Sequence, residues 1–286
     1  MYVLFKPFVR SLCLLLTLAL LTPSCEFLGI RSQSKNYMLP RPQKIFLDKR
    51  LSEISGLFYL PRENYFLAIA DDKKKVYRLS TAGAVSDYFP QDLGASGDYE
   101  DVVKVENTVY VLRSDGHIVA ATPQTGTDSL QVTDYPFLNN DTNDFESMYY
   151  DASAGGLVIL CKSCAHEKGK KLRSAYLFNL STRQWQPQPF YVIPSKAVND
   201  VLKDGRVEFK PSAAAIHPIE KRLYILSSAG HLLVVTDMKG KVQEVFRLNP
   251  GFYPQAEGIA FASNGDMYVT NEAKLGKPTL LRIPYK

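Results

Sequence analysis

Five positions of this 286-residue chain stand in the same place within a repeated unit: Ser55, Glu100, Glu146, Ser212 and Glu257. Their spacings are 45, 46, 66 and 45 residues. Each opens a short apolar run, and three of the five are glutamates. Carboxylates gathered in a low dielectric repel one another, so they need a cation, bound protons or cationic neighbours. An all-oxygen set suits Ca²⁺ or Mg²⁺ better than a soft metal. Glu100, Glu146 and Glu257 are therefore candidate metal ligands. A structural reading stands beside this one: the same carboxylates can accept hydrogen bonds from neighbouring backbone and tie the units together.

The elements that must position these residues are strands. In the last unit, Glu257 opens an apolar run, Ser263-Asn264-Gly265-Asp266 turns it, and a second run ends in Asn271 and Glu272. Asn-Gly between two such runs is a hairpin signal. Similar pairs of runs follow Ser55, Glu100, Glu146 and Ser212. A strand-bearing repeat of about 40–50 residues is the mark of a propeller blade. The first repeat divides into strands near 55–60, 65–71, 75–80 and 84–89. The last supplies only three, near 257–262, 266–271 and 278–284. Lys44-Ile-Phe-Leu-Asp48 has no partner before the first repeat and can complete the last. The expectation is an all-β fold: a single β-propeller over 43–286, with five four-stranded blades closed by an N-terminal strand. Such pairing would protect a sheet edge from mispairing.

In a propeller the first strand of each blade lines the axis, so the five positions form a ring. The second strand returns to the same face. Its end brings Asp71 and Asp72, Arg113 with Ser114 and Asp115, Lys162, Ser227 and Ser228, and Asn271 with Glu272. With Ser55 and Ser212 these form a candidate ligand funnel for a small molecule or a protein. Solvated loop residues would give the same pattern. Arg113 and Lys162 offer a further alternative, pairing with the ring glutamates in place of a metal.

The long interval carries an insertion. Ser195 to Gly205 has apolar residues at 197, 198, 201 and 202, which predicts one short amphipathic helix, capped by Ser195 and ended by Gly205. Its expected role is to cover an edge outside the third blade. Cys161-Lys-Ser-Cys164 with His166 lacks the second pair of a four-ligand zinc site. In an exported chain it predicts a local disulfide or two unpaired thiols, with strand alternation opposing the disulfide. His117, His166, His217 and His231 do not recur at ring positions, and no Gly-x-Ser-x-Gly elbow is present.

The N-terminus carries Lys6 and Arg10, then a largely apolar stretch from Ser11 to Leu21. This is a signal-peptide pattern, too short for a comfortable span. Its end at Thr22-Pro-Ser-Cys25 resembles a bacterial lipoprotein signal, which implies lipidation of Cys25 and a membrane partner through that anchor. An ordinary secretory signal is the other reading. Residues 26–42 read as a flexible tether. The expected location is extracytoplasmic, as a membrane-anchored lipoprotein of the periplasm or outer membrane. The net charge of +5 includes the two positives of the signal; what remains is too mild to argue for nucleic acid. A monomer is expected.

The five motifs Ile54-Ser-Gly-Leu57, Glu100-Asp-Val-Val103, Phe145-Glu-Ser-Met148, Pro211-Ser-Ala-Ala214 and Gln255-Ala-Glu-Gly-Ile-Ala260, in this order, resemble the SdiA-regulated family of β-propeller proteins. The resemblance covers roughly residues 40–286 and implies the fold and an exported location. Glu257-Gly-Ile-Ala260 is also similar to the inner-strand motif of propeller lactonases and phytase-like esterases, which implies an acidic group helping to hold a metal. Two functions follow as expectations. One is a tethered binding or scaffold module with a polar funnel. The other is a metal-dependent hydrolase of a lactone or phosphoester, using the glutamate ring.

Overall fold

The computed structural model describes residues 1–2, 34–94, 97–205, 207–273 and 276–286. The apolar N-terminal stretch and Cys25 lie outside the described residues. No helix among the described residues is long and apolar enough to cross a membrane.

The strands form five antiparallel sheets, each a blade. Blade one holds β2 (Ile54–Leu60), β3 (Tyr65–Ala70), β4 (Tyr77–Ser80) and β5 (Val85–Asp87), preceded in the chain by β1 (Gln43–Phe46). Blade two holds β6 (Tyr99–Val105), β7 (Thr108–Arg113), β8 (Ile118–Pro123) and β9 (Leu130–Tyr135). Blade three holds β10 (Asn143–Asp151), β11 (Gly156–Cys164), β12 (Leu172–Asn179), and two short outer strands, β13 (Gln184–Trp185) and β14 (Tyr191–Pro194), which both pair with β12. Blade four holds β15 (Ala213–Ile216), β16 (Leu223–Ser227), β17 (Leu232–Thr236) and β18 (Val242–Arg247). Blade five holds β19 (Ala256–Phe261), β20 (Met267–Asn271) and β21 (Thr279–Ile283), and β1 pairs with β21 at its outer side.

Packing follows from the sequence pattern. The middle strands are apolar on both faces, as in Leu-Tyr-Ile-Leu-Ser of β16 and Leu-Leu-Val-Val-Thr of β17, and every residue of both is buried. Such strands need cover on each side. Five apolar clusters supply it, one in each gap between neighbouring blades. The inner strands pack in the order β2, β6, β10, β15, β19 and back to β2, which makes the ring. Turns sit where the sequence places them: Asn64 has φ +53° between β2 and β3, and Gly265 has φ +90° between β19 and β20.

Two expectations are revised in detail. The helix α1 spans Ser195–Leu202 but is not capped by Ser195, whose backbone N–H donates to the Lys171 carbonyl at 2.9 Å as β14 runs straight into the helix. The cap position is Pro194, and the left-handed residue at the far end is Lys203 (φ +59°) rather than Gly205. Val198 and Leu202 are buried in the gap between blades three and four, whereas Val201 is exposed. Second, packing begins before the first strand. Tyr37 and Leu39 are buried against blades four and five, and Tyr37 bridges Tyr285. Residues 34–42 of the expected tether therefore belong to the folded body, because they carry an aromatic and an aliphatic side chain that fit its lower edge. The alternative left open for the cysteine pair is settled for the disulfide: Cys161 and Cys164 are bonded although they are three apart on one strand.

Candidate functional site

Each ring position is an irregularity of its blade. In blade one Ile54 faces Ala70 and Gly56 faces Ile69, leaving Ser55 without a partner. Tyr99 and Asp101 flank an unpaired Glu100 in the same way, Phe145 and Ser147 flank Glu146, and Ala256 and Gly258 flank Glu257. In blade four the Ser212 N–H donates to the Leu226 carbonyl while Ala213 is the residue facing Leu226. A bulge re-aims the side chain of its extra residue. Four of these are bulges within the ladder, and the fifth, at Ser212, stands just before β15; all five sit at the same end of their inner strands.

The serines and glutamates of the ring do different things. Ser55 Oγ donates to the Tyr99 carbonyl at 2.6 Å, and Ser212 Oγ donates to the Ala256 carbonyl at 2.8 Å. Each ties its blade to the next. Between blades two and three the tie is Asp101, whose carboxylate accepts from Met148 N–H at 2.7 Å and Val102 N–H at 2.8 Å. Burial pushes the Asp101 carboxyl up, and these two bonds pull against it. Sequence reading passed over Asp101 in favour of Glu100; the signal was the adjacent acid pair at the start of β6. The blades approach closely here, since a Cβ on Gly56 would lie 2.7 Å from Asp101 Cα.

The ring glutamates are left to electrostatics. Glu146 forms an ion pair with Lys162 Nζ. Burial raises Glu146 to about 7 against the lowering effect of that lysine. Burial and then Glu146 raise Glu100 to about 9. Burial, Glu146 and Glu272 raise Glu257 to about 8, opposed by a hydrogen bond from Ser228. Burial works against the Lys162 ammonium, yet its carboxylate neighbours outweigh it and raise its pKa.

A second acidic group sits on the same rim, where blades one and five meet. Glu53, Asp71 and Glu272 each place one carboxylate oxygen within 4.8 Å of the others. Burial, then Glu53 and Asp71, raise Glu272 to about 7; burial and then Glu53 raise Asp71. Gln255 Nε2 donates to Glu272 Oε2. Glu53 was not among the residues expected from sequence. It precedes β2, and its carbonyl accepts from Asp71 N–H at 3.0 Å, so its signal was position opposite the end of β3.

The other expected funnel residues separate from this group. Arg113 turns outwards to Asp115 at 2.5 Å and Asp134 at 3.4 Å, so it pairs with no ring glutamate. Asp72 is ion-paired with its neighbour Lys73. Asn271 is buried, with Nδ2 donating to Thr279 Oγ1 at 3.0 Å and to the Phe252 carbonyl at 3.2 Å.

The donor set fits a hard cation. Buried oxygens of Asp71 (Oδ1) and Glu146 (Oε2) accept no hydrogen bond from the described residues. Unsatisfied buried carboxylate oxygens are costly and call for a partner. Two residues further along the inner strands, Leu57, Val102, Met148, Ala214 and Ile259 line an apolar axial cavity of about 160 Å³.

Known structures share the architecture. A Myxococcus xanthus glutaminyl cyclase is similar with a TM-score of 0.56 at 12% identity, over 85% of this chain and 94% of that one. A calcium-binding regucalcin from Agrobacterium tumefaciens gives 0.52 at 12%, over 88% and 95%. A glucose dehydrogenase gives 0.53 at 10%, over 84% and 99%. At such identities the likeness concerns the fold alone. No curated protein is detectably similar in sequence. The family model described as SdiA-regulated matches residues 41–275, and the five ring motifs fall within that match: the chain belongs to the SdiA-regulated family of β-propellers.

Proposed function

We propose that this protein is an extracytoplasmic binding module, anchored through a lipid on Cys25, whose axial funnel takes a divalent cation of the Ca²⁺ or Mg²⁺ class. The observation that carries the reading is an imbalance of charge. Glu53, Asp71, Glu100, Glu146, Glu257 and Glu272 gather at one end of the axis, and Lys162 pairs directly with only one of them. In this reading β1 closes the ring by capping blade five, which holds the inner strands, and hence the carboxylates, in register.

At neutral pH several of these carboxyls hold protons. A divalent cation would displace them, so binding should release protons and tighten as pH rises. The test is calorimetric titration of the purified protein with Ca²⁺ and Mg²⁺, beside elemental analysis. Glu146→Gln should weaken binding by roughly an order of magnitude, since affinity follows ligand charge. A protein that carries no metal, binds none and melts alike in Ca²⁺ and chelator would sink the reading.

A metal-dependent hydrolase is the second reading. It is favoured by Glu146 and Glu272, both placed near 7, where a carboxyl can exchange protons as acid or base. The structural neighbours include enzymes, and their likeness supports only a fold able to host such chemistry. Lactone and phosphoester turnover in the presence of Ca²⁺, abolished in Glu146→Gln, would favour it over simple binding.

A further inference from the structure

The third blade differs from the others in how its two inner strands pair. In blades one, two and five only the ring residue falls out of the ladder. In blade three two residues do: Glu146 on β10 and Lys162 on β11, on either side of the Phe145–Cys161 pair. These two leftover residues are the ones that form the ion pair.

The same irregularity explains the disulfide. Along a regular strand, side chains three apart point to opposite faces. One extra residue restores the parity, and Lys162 is that residue. Cys161 and Cys164 then share a side, with Cα atoms 6.0 Å apart and the sulfurs bonded. A bond between these two sulfurs requires the bulge, and the bulge leaves Lys162 beside Glu146 at the axial site. Arg113 is held by Asp115 and Asp134, and Lys210 by Glu208 at 2.8 Å.

We propose that the Cys161–Cys164 disulfide holds the Lys162 ammonium in the axial site as a built-in counter-ion, and that breaking the bond raises the site's affinity for an external divalent cation. This rests on the cation reading above. With the bond intact, an incoming cation competes with an ammonium already paired to Glu146. With the bond broken, the end of β11 can return to regular alternation, and a lysine is flexible and prefers water to a buried site. The step is a thiol–disulfide exchange. A dithiol reductant gives two electrons and two protons, the S–S bond becomes two thiols, and the reductant leaves as its own disulfide. Both cysteines are buried, at 0% and 6% exposure, so exchange requires opening of this strand end.

Two readouts test the proposal on the full chain. The first needs no cation: the rate at which a water-soluble acylating reagent modifies Lys162, read by mass spectrometry. Modification should be slow in the oxidised protein and clearly faster in Cys161→Ala/Cys164→Ala and in dithiol-reduced wild type. The reduced wild type serves if the double variant does not fold. Equal rates would overturn the proposal. The second is Ca²⁺ affinity. Lys162→Met and the cysteine double variant should each bind roughly tenfold tighter than wild type, and the triple variant should gain nothing further. A double variant that binds like wild type, while Lys162→Met binds tighter, would overturn the role of the bond. Failure of every form to bind Ca²⁺, with the labelling difference intact, would overturn the cation reading and the gating built on it while leaving the hold on Lys162 standing.

Discussion

The Tyr37 hydroxyl and His217 Nε2, 180 residues apart in sequence, meet at 2.6 Å in the buried lower edge of blades four and five. His217 Nδ1 accepts from the N–H groups of Ile219 and Glu220, at 3.1 and 3.0 Å. That assigns the ring proton to Nε2, which donates to Tyr37, whose own proton goes to the Gly265 carbonyl at 2.6 Å. His217 follows the end of β15 and Gly265 the end of β19, whereas the ring residues stand at the beginnings of these inner strands. The N-terminal segment is therefore fastened to the face opposite the carboxylates.

Tyr37→Phe strips this chain of its middle link and leaves a buried N–H and a buried carbonyl unpaired. A loss of about 1–3 kcal/mol is expected, read as a lowered melting temperature. Burial pushes the His217 pKa down, so its contribution is present above its ordinary value of 6.5 and lost as pH falls below it. Unchanged stability in Tyr37→Phe would show that the clasp contributes nothing.

The axial carboxylates work in the opposite sense. Glu100, Glu257, Glu146 and Glu272 stand at about 9, 8, 7 and 7, all above the ordinary 4.5. The folded state binds their protons more tightly than the unfolded chain does, so their contribution is complete below about pH 4.5 and is lost as pH rises through 7 to 9. Metal-free protein should melt at a lower temperature at pH 9 than at pH 6, and Glu100→Gln should flatten that slope. Thermal melts in chelator across this range check it; a slope of the other sign would contradict the burial of these groups.

Ser55→Ala and Ser212→Ala each remove one tie between adjacent blades. Each should cost about 1 kcal/mol or somewhat more, because the Tyr99 or Ala256 carbonyl loses its donor. The two sites join different blade pairs, so their effects should add in the double variant. Chemical denaturation of the singles and the double measures this. A strongly non-additive result would mean that the ring yields as one unit.

Deleting residues 43–48 removes β1 and bares the edge of β21. Aggregation and a loss of roughly several kcal/mol are expected from the lost burial and the open edge. A soluble product with an unchanged melting temperature would show that the ring is closed by its inner strands alone.

Cys25→Ala should move the protein from the membrane fraction to the soluble one. Cys25 and Tyr37 stand twelve positions apart, a reach of at most about 40 Å. With Tyr37 fastened to the lower face, the carboxylate mouth should point away from the bilayer. A variant that still fractionates with membranes would remove the lipid from the account.

The sequence by itself determined the array. Spacings near 45 residues, paired apolar runs and turn residues such as Asn264-Gly265 mark the five blades, because strands and tight turns are local and repeat with the unit. It also brought Glu100, Glu146 and Glu257 into equivalent positions, since equivalence in a ring follows from equivalence in the repeat. Only the tertiary structure decided what those positions do. The bulges at the ring depend on which residue faces which across two strands, and one dropped residue reverses every side chain beyond it. That is why Cys161 and Cys164 meet despite their spacing, why Lys162 reaches Glu146 while Arg113 turns outwards, and why Glu53 joins Asp71 and Glu272. The burial of Tyr37 was hidden for a related reason: its partners, His217 and Gly265, lie most of the chain away, and no local pattern in residues 34–42 records them.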